Sequence, residues 1–106
     1  KFEVARAGWI GDYPDPQNFL YLLQYPNTLN YGAWNNGPFN SLMKLAAVTV
    51  NLETRAAILN IAEQVAMAEF ATMPIYYYVS KRLVSKNLKG YKSNIEDIHR
   101  SRWMWK

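Results

Sequence analysis

Residues 6 to 16 read Arg6-Ala7-Gly8-Trp9-Ile10-Gly11-Asp12-Tyr13-Pro14-Asp15-Pro16. Its first half continues a run, Phe2 to Trp9, in which Phe2 and Val4 alternate with Glu3 and β-favouring residues come first; that pattern predicts a strand. Its second half ends the strand, because Gly11, Asp12, Pro14, Asp15 and Pro16 are turn formers. Asp15 stands where a helix N-cap belongs and Pro16 at the first helical position, where its missing N–H is no loss, so a short helix is expected through Leu23.

Further along, residues 24 to 37 hold four Asn, two Gly and one Pro with neither a helical nor a strand period, which predicts a loop pinned by its tyrosines and Trp34. Pro38 opens a second helix to about Ala47, with Phe39, Leu42, Met43 and Ala46 spaced for one face. Asn51 is placed to cap a long third helix, and Glu53 lies in its first turn, where the helix dipole favours an anion. That helix is expected to reach about Ala71 before Met73-Pro74 ends it, with Ile58, Ile61, Ala62, Val65 and Ala68 as the buried stripe. Ile75-Tyr76-Tyr77-Tyr78-Val79 then predicts a short central strand, since it is continuously apolar and rich in β-formers. Residues 80 to 106 read as short extended pieces around Lys89-Gly90-Tyr91, with a last strand at Arg102 to Trp105.

The composition narrows the functional classes. With 106 residues, 50% hydrophobic and 15% aromatic, the chain is at most one modest packed domain and is not disordered. The net charge of +4 comes from cations scattered until they bunch at Lys81, Arg82, Lys86, Lys89, Lys92, Arg100, Arg102 and Lys106, a solvated face in preference to a nucleic-acid groove. No apolar run nears the roughly 20 residues of a membrane span. The absence of cysteine excludes disulfides and thiolate chemistry, and the lone histidine, His99, has no second histidine with which to share a metal. No cofactor is implied. The chain opens on Lys1-Phe2-Glu3-Val4, without an initiator Met or a signal peptide, and is read as part of a longer polypeptide.

Several of these pieces occur together in a recognisable order: residues 6 to 16, then Asn18-Phe19-Leu20, the helix carrying Arg55 and Glu63, Met73-Pro74-Ile75-Tyr76-Tyr77-Tyr78-Val79, and Lys89-Gly90-Tyr91. In this order they resemble the end of the oligopeptide-binding proteins of the family 5 solute-binding class, receptor components of ABC peptide importers. The resemblance covers essentially the whole chain, is densest at residues 2 to 20 and 55 to 91, and is weakest from Asn94 onward. It implies an α+β fold: residues 1 to 79 would form the C-terminal part of the distal lobe of a two-lobed, type II periplasmic-binding-protein-like receptor. Residues 80 to 106 would cross a hinge and return as a tail packed on the first lobe. It also implies that the receptor binds short peptides in extended form, that the remainder of the receptor chain and the transporter's permease subunits are its partners, and that it works in the periplasm or outside the cell, membrane-anchored where the segment preceding this one carries an anchor. Nucleic acid is not among the implied partners.

The site residues follow from that resemblance together with what each residue can do. Residues two apart on a strand turn their main-chain groups to one edge, so Gly8 and Ile10 can pair with one extended peptide, and Gly8 lets it come close. Asp12 alone reads as an Asx-turn residue closing a Gly-Asp turn; it resembles the family's aspartate that captures the peptide N-terminus. Arg6, at most about 20 Å away along an extended chain, resembles the arginine that can hold a ligand carboxylate in its planar donor fork, a lobe-stabilising ion pair being the alternative. Trp9 would wall a side-chain pocket, and Tyr78 resembles a tyrosine near the ligand backbone, whereas Tyr76 and Tyr77 read as core. Some enterobacterial relatives carry cysteine where Ile10 stands, so no disulfide can form there.

Two other functional classes make different demands on these residues. As an enzyme the chain would need Asp12 and Asp15 as paired carboxylates, or Ser41 or Ser80 with His99, but neither set has an electrophile-stabilising cluster or a nucleophile turn. A protein-interaction module using the aromatic loop Tyr31 to Trp34 would bury residues 6 to 12 within one lobe, whereas a receptor would present them to a cleft. A dipeptide, murein-peptide or signalling-peptide receptor would carry a similar sequence.

Overall fold

The computed structural model describes residues 3–94 and 96–106. It divides into two compact bodies, one made of Lys1–Tyr13 with Ile75–Lys106, the other of Pro14–Pro74.

The Pro14–Pro74 body is helical and holds the buried apolar core. Helix α1 spans Gln17–Leu20 and tightens into a 3₁₀ turn, Tyr21–Leu23, so the expected reach to Leu23 is met in two geometries. The Asp15 side chain accepts from the Gln17 N–H at 2.8 Å, and Pro16 stands just before the first helical residue. Helix α2, Gly37–Val48, starts one residue earlier than Pro38 because Asn36 caps it, its side chain accepting from the Phe39 N–H. Phe39, Met43 and Ala46 are buried along α2 at the predicted helical spacing.

Helix α3, Leu52–Ala68, is capped by Asn51 as expected, through the Thr54 N–H at 2.8 Å. It ends before Met73-Pro74. Phe70 takes a left-handed φ of 53°, the Ala71 N–H reaches the Ala66 carbonyl and the Phe70 N–H that of Met67, so a Schellman closure stops the helix with no help from proline. The buried face is Leu59, Ala62 and Ala66, flanked by Ile58, Val65 and Met67; Ile61 and Ala68 are exposed, so the predicted stripe is rotated. Apolar residues stand on most sides of α3, and periodicity therefore could not set its phase; packing against α2 does. Leu20, Phe39, Met43, Ala46, Leu59, Ala62 and Ala66 form one core, with Trp34 edge-on to Phe39 at 4.9 Å.

The loop from Gln24 to Asn36 is pinned by asparagines and Trp34, and not by the rings of its tyrosines, since Tyr25 and Tyr31 are exposed. Asn30 is buried, donating to the carbonyls of Leu23 and Trp34 and accepting from the Trp34 N–H. The Glu69 carboxylate receives the Trp34 indole N–H at 3.0 Å and the Asn36 amide at 2.7 Å, fastening the loop to the end of α3. Arg55 on α3 grips Asp15 with two hydrogen bonds, 2.6 and 3.0 Å, and Gln17 at 2.7 Å. That clasp holds the Asp15 carboxyl below the usual carboxylate range, mainly through Arg55, and accounts for one member of the carboxylate pair weighed above.

The other body is irregular. The expected strands at Phe2 to Trp9, at Ile75 to Val79 and at Arg102 to Trp105 do not form among the described residues; Phe2 itself lies outside them. A strand needs a ladder partner, and the sole bridge among the described residues joins Lys89 to Trp105. The triple tyrosine is not core, since Tyr77 is 96% exposed and Tyr76 and Tyr78 are exposed too. Gly90 has a φ of 78° and faces the Trp103 backbone and Trp105 ring at close range, where a Cβ could not stand. Around Asp97 converge Arg82 at 2.7 Å, the Ser80 hydroxyl at 2.8 Å and His99 at 3.0 Å, with His99 stacked on Tyr91.

Candidate functional site

Arg6, Ala7, Gly8, Trp9, Ile10 and Tyr78 line one open concavity of about 460 Å³. The geometry follows from local sequence: a short stretch without a ladder partner supplies its floor, and Tyr78, from the β-favouring run, supplies a side. Five of the six residues singled out from the sequence meet there, namely Arg6, Gly8, Trp9, Ile10 and Tyr78. The sixth, Asp12, is exposed and is not part of the lining.

Trp9 is 37% exposed, enough to offer a ring face to a ligand while the rest packs. No main-chain hydrogen bond engages Gly8 or Ile10 among the described residues, so their N–H and C=O groups remain open to an incoming chain. A Cβ added at Gly8 would meet nothing within 4 Å. An approaching backbone would find that same space open.

Among the described residues Arg6 forms no ion pair. Its Nη2 instead donates to the Tyr76 hydroxyl at 2.9 Å, and this contact raises the guanidinium pKa. Tyr76 also stacks with Tyr78, ring centroids 6.4 Å apart. The sequence reading missed Tyr76 because it treated the apolar run as core; the period of two that puts residues 76 and 78 on one face was the available signal. Among the described residues no cluster of His, Asp and Glu could hold a metal ion, and no helix is long and apolar enough to cross a membrane.

No family model matches the chain. It is, however, 37% identical over 105 residues, 98% of its length, to the periplasmic murein peptide-binding protein MppA of Escherichia coli (strain K12), covering 20% of that protein. The chain belongs to the oligopeptide-binding protein family. Within this family it is also 36% identical over 90 residues to the periplasmic oligopeptide-binding protein OppA of the same bacterium, matching 85% of the chain and 17% of the relative. Against the oligopeptide-binding protein OppA of Bacillus subtilis (strain 168) the identity is 34% over 90 residues, 84% of the chain and 16% of that protein. The chain thus spans about a fifth of the length of these oligopeptide-binding relatives.

Proposed function

We propose that the chain is the C-terminal segment of a receptor that binds short peptides in extended form and delivers them to an ABC importer. The observation that carries this reading is the concavity at residues 6 to 10, where Gly8 and Ile10 offer open main-chain groups beside Arg6, Trp9 and Tyr78. An extended guest would pair with Gly8 and Ile10 as an added strand, its ammonium meeting Asp12 and its carboxylate Arg6, with Trp9 and Tyr78 against its side chains and backbone. Nothing in this scheme turns over a bond, and the reading is of a binding protein and not an enzyme.

Residues 1 to 79 would belong to the distal lobe and 80 to 106 to a hinge crossing and tail on the first lobe, with the opposing wall of the cleft supplied by the rest of the receptor. Its place would be the periplasm or the outer face of the cell, its partners the peptide and the permease subunits. Of residues 6 to 12 all but Gly11 are exposed, which favours the receptor reading over the interaction-module alternative that would bury them.

The experiment is calorimetry on the full-length receptor, with tripeptides bearing free or acetylated N-termini. Asp12→Asn is expected to weaken free-amine peptides by about 2 to 5 kcal/mol, the cost of leaving a buried ammonium without its partner. Acetylated peptides should bind the wild type poorly. Equal binding of both peptides, unaffected by Asp12→Asn, would remove the basis for the proposal; mass spectrometry of co-purified ligand would then show what the cleft does hold.

A further inference from the structure

We infer that Tyr76 is a positioning residue for ligand carboxylates, holding the Arg6 guanidinium at the rim of the concavity through the hydrogen bond from Arg6 Nη2 to its phenolic oxygen. The inference rests on the peptide-receptor reading and deepens it at one residue. Arg6 and Tyr78 line the concavity and Tyr76 does not, so Tyr76 acts on a ligand through its neighbours. An unrestrained arginine loses much rotameric freedom when it grips a carboxylate. An arginine already tethered by one N–H has lost part of it beforehand, and its remaining donors stay free to form the planar fork.

The tether is itself held in place. The Tyr76 ring stacks on Tyr78 with an interplanar angle of 30°, which sets the phenol that anchors Arg6 beside the phenol that lines the concavity. Tyr76 is well exposed, and removing its hydroxyl therefore leaves no cavity and no buried orphan. Tyr76→Phe keeps the ring, the stack and the fold while deleting the tether alone.

The test uses the full-length receptor and two probes with free N-termini, trialanine and trialanine amide. Wild type should prefer the carboxylate. Tyr76→Phe is expected to lower affinity for trialanine about threefold to tenfold and to change that for the amide by less than about twofold, the range expected for one hydrogen bond. In an Arg6→Gln background, adding Tyr76→Phe should have no further effect, because the residue it positions is gone. Equal losses for both probes, a second additive loss in the Arg6→Gln background, or no preference for the carboxylate in the wild type would each overturn the inference. Failure of the wild type to bind either probe is a different result, one that would overturn the peptide-receptor reading and this inference with it.

Discussion

Gly8 is open on the side where a side chain would grow, and that sets a sharp test at the level of single residues. Gly8→Ala adds a Cβ that meets nothing within 4 Å and should leave the unfolding midpoint unchanged, yet it puts a methyl group where a guest backbone would run. Affinity should fall about tenfold or more, since a clash at a close approach is not relieved by side-chain motion; unchanged affinity would place the guest elsewhere. Arg55 is the opposite case, a residue whose work lies within its own body. Its two-pronged grip on Asp15 is partly buried, so Arg55→Met should cost about 1 to 2 kcal/mol in chemical denaturation and leave peptide affinity alone. The concavity was partly legible at this scale. Arg6, Gly8, Trp9, Ile10 and Tyr78 are singled out by the sequence and lie together, whereas the hydrogen bond from Arg6 to Tyr76 joins residues 70 apart in the chain and has no local signal.

At the level of elements, what could be read depended on whether the signal was local. Asn51 declared the start of α3, and the spacing of Phe39, Met43 and Ala46 declared the inner face of α2, because caps and a clear period sit within a few turns. The phase of α3 was hidden by its alanines. The strands failed because pairing is non-local: Ile75 to Val79 has every β-forming residue type it needs and no ladder partner among the described residues. The end of α3 carries its own prediction. Phe70 sits at the left-handed closing position that glycine favours, and its ring is 87% exposed, so Phe70→Gly relieves backbone strain at little loss of packing. A gain of about 1 kcal/mol is expected in thermal or urea melts; a loss would mean that the ring has a partner elsewhere in the receptor.

For the whole molecule, acid is the natural probe, because each body contains a carboxylate held ionised by hydrogen bonds. Asp97 is kept well below its ordinary value of 3.8 by Arg82 first, then Ser80 and His99, and Asp15 is lowered chiefly by Arg55. A depressed carboxyl stabilises the folded state fully at pH values above the unfolded pKa, and that stabilisation is lost as pH falls toward the folded one. The melting temperature should therefore be flat above about pH 5 and decline below about pH 4, with Asp15→Asn giving a lower but flatter curve. A decline beginning near neutrality would point to other groups. The exposed apolar side chains Val48, Val50, Leu52 and Ile61, with Ile75 to Val79, predict that this segment on its own self-associates in sedimentation velocity, while the full-length receptor stays monomeric.

Every residue of the buried nucleus belongs to Pro14–Pro74, and every residue lining the concavity lies outside it. If guests are held at that concavity, selection on what is captured and selection on this helical nucleus fall on separate stretches of the same gene, and drift in the first would leave the second untouched.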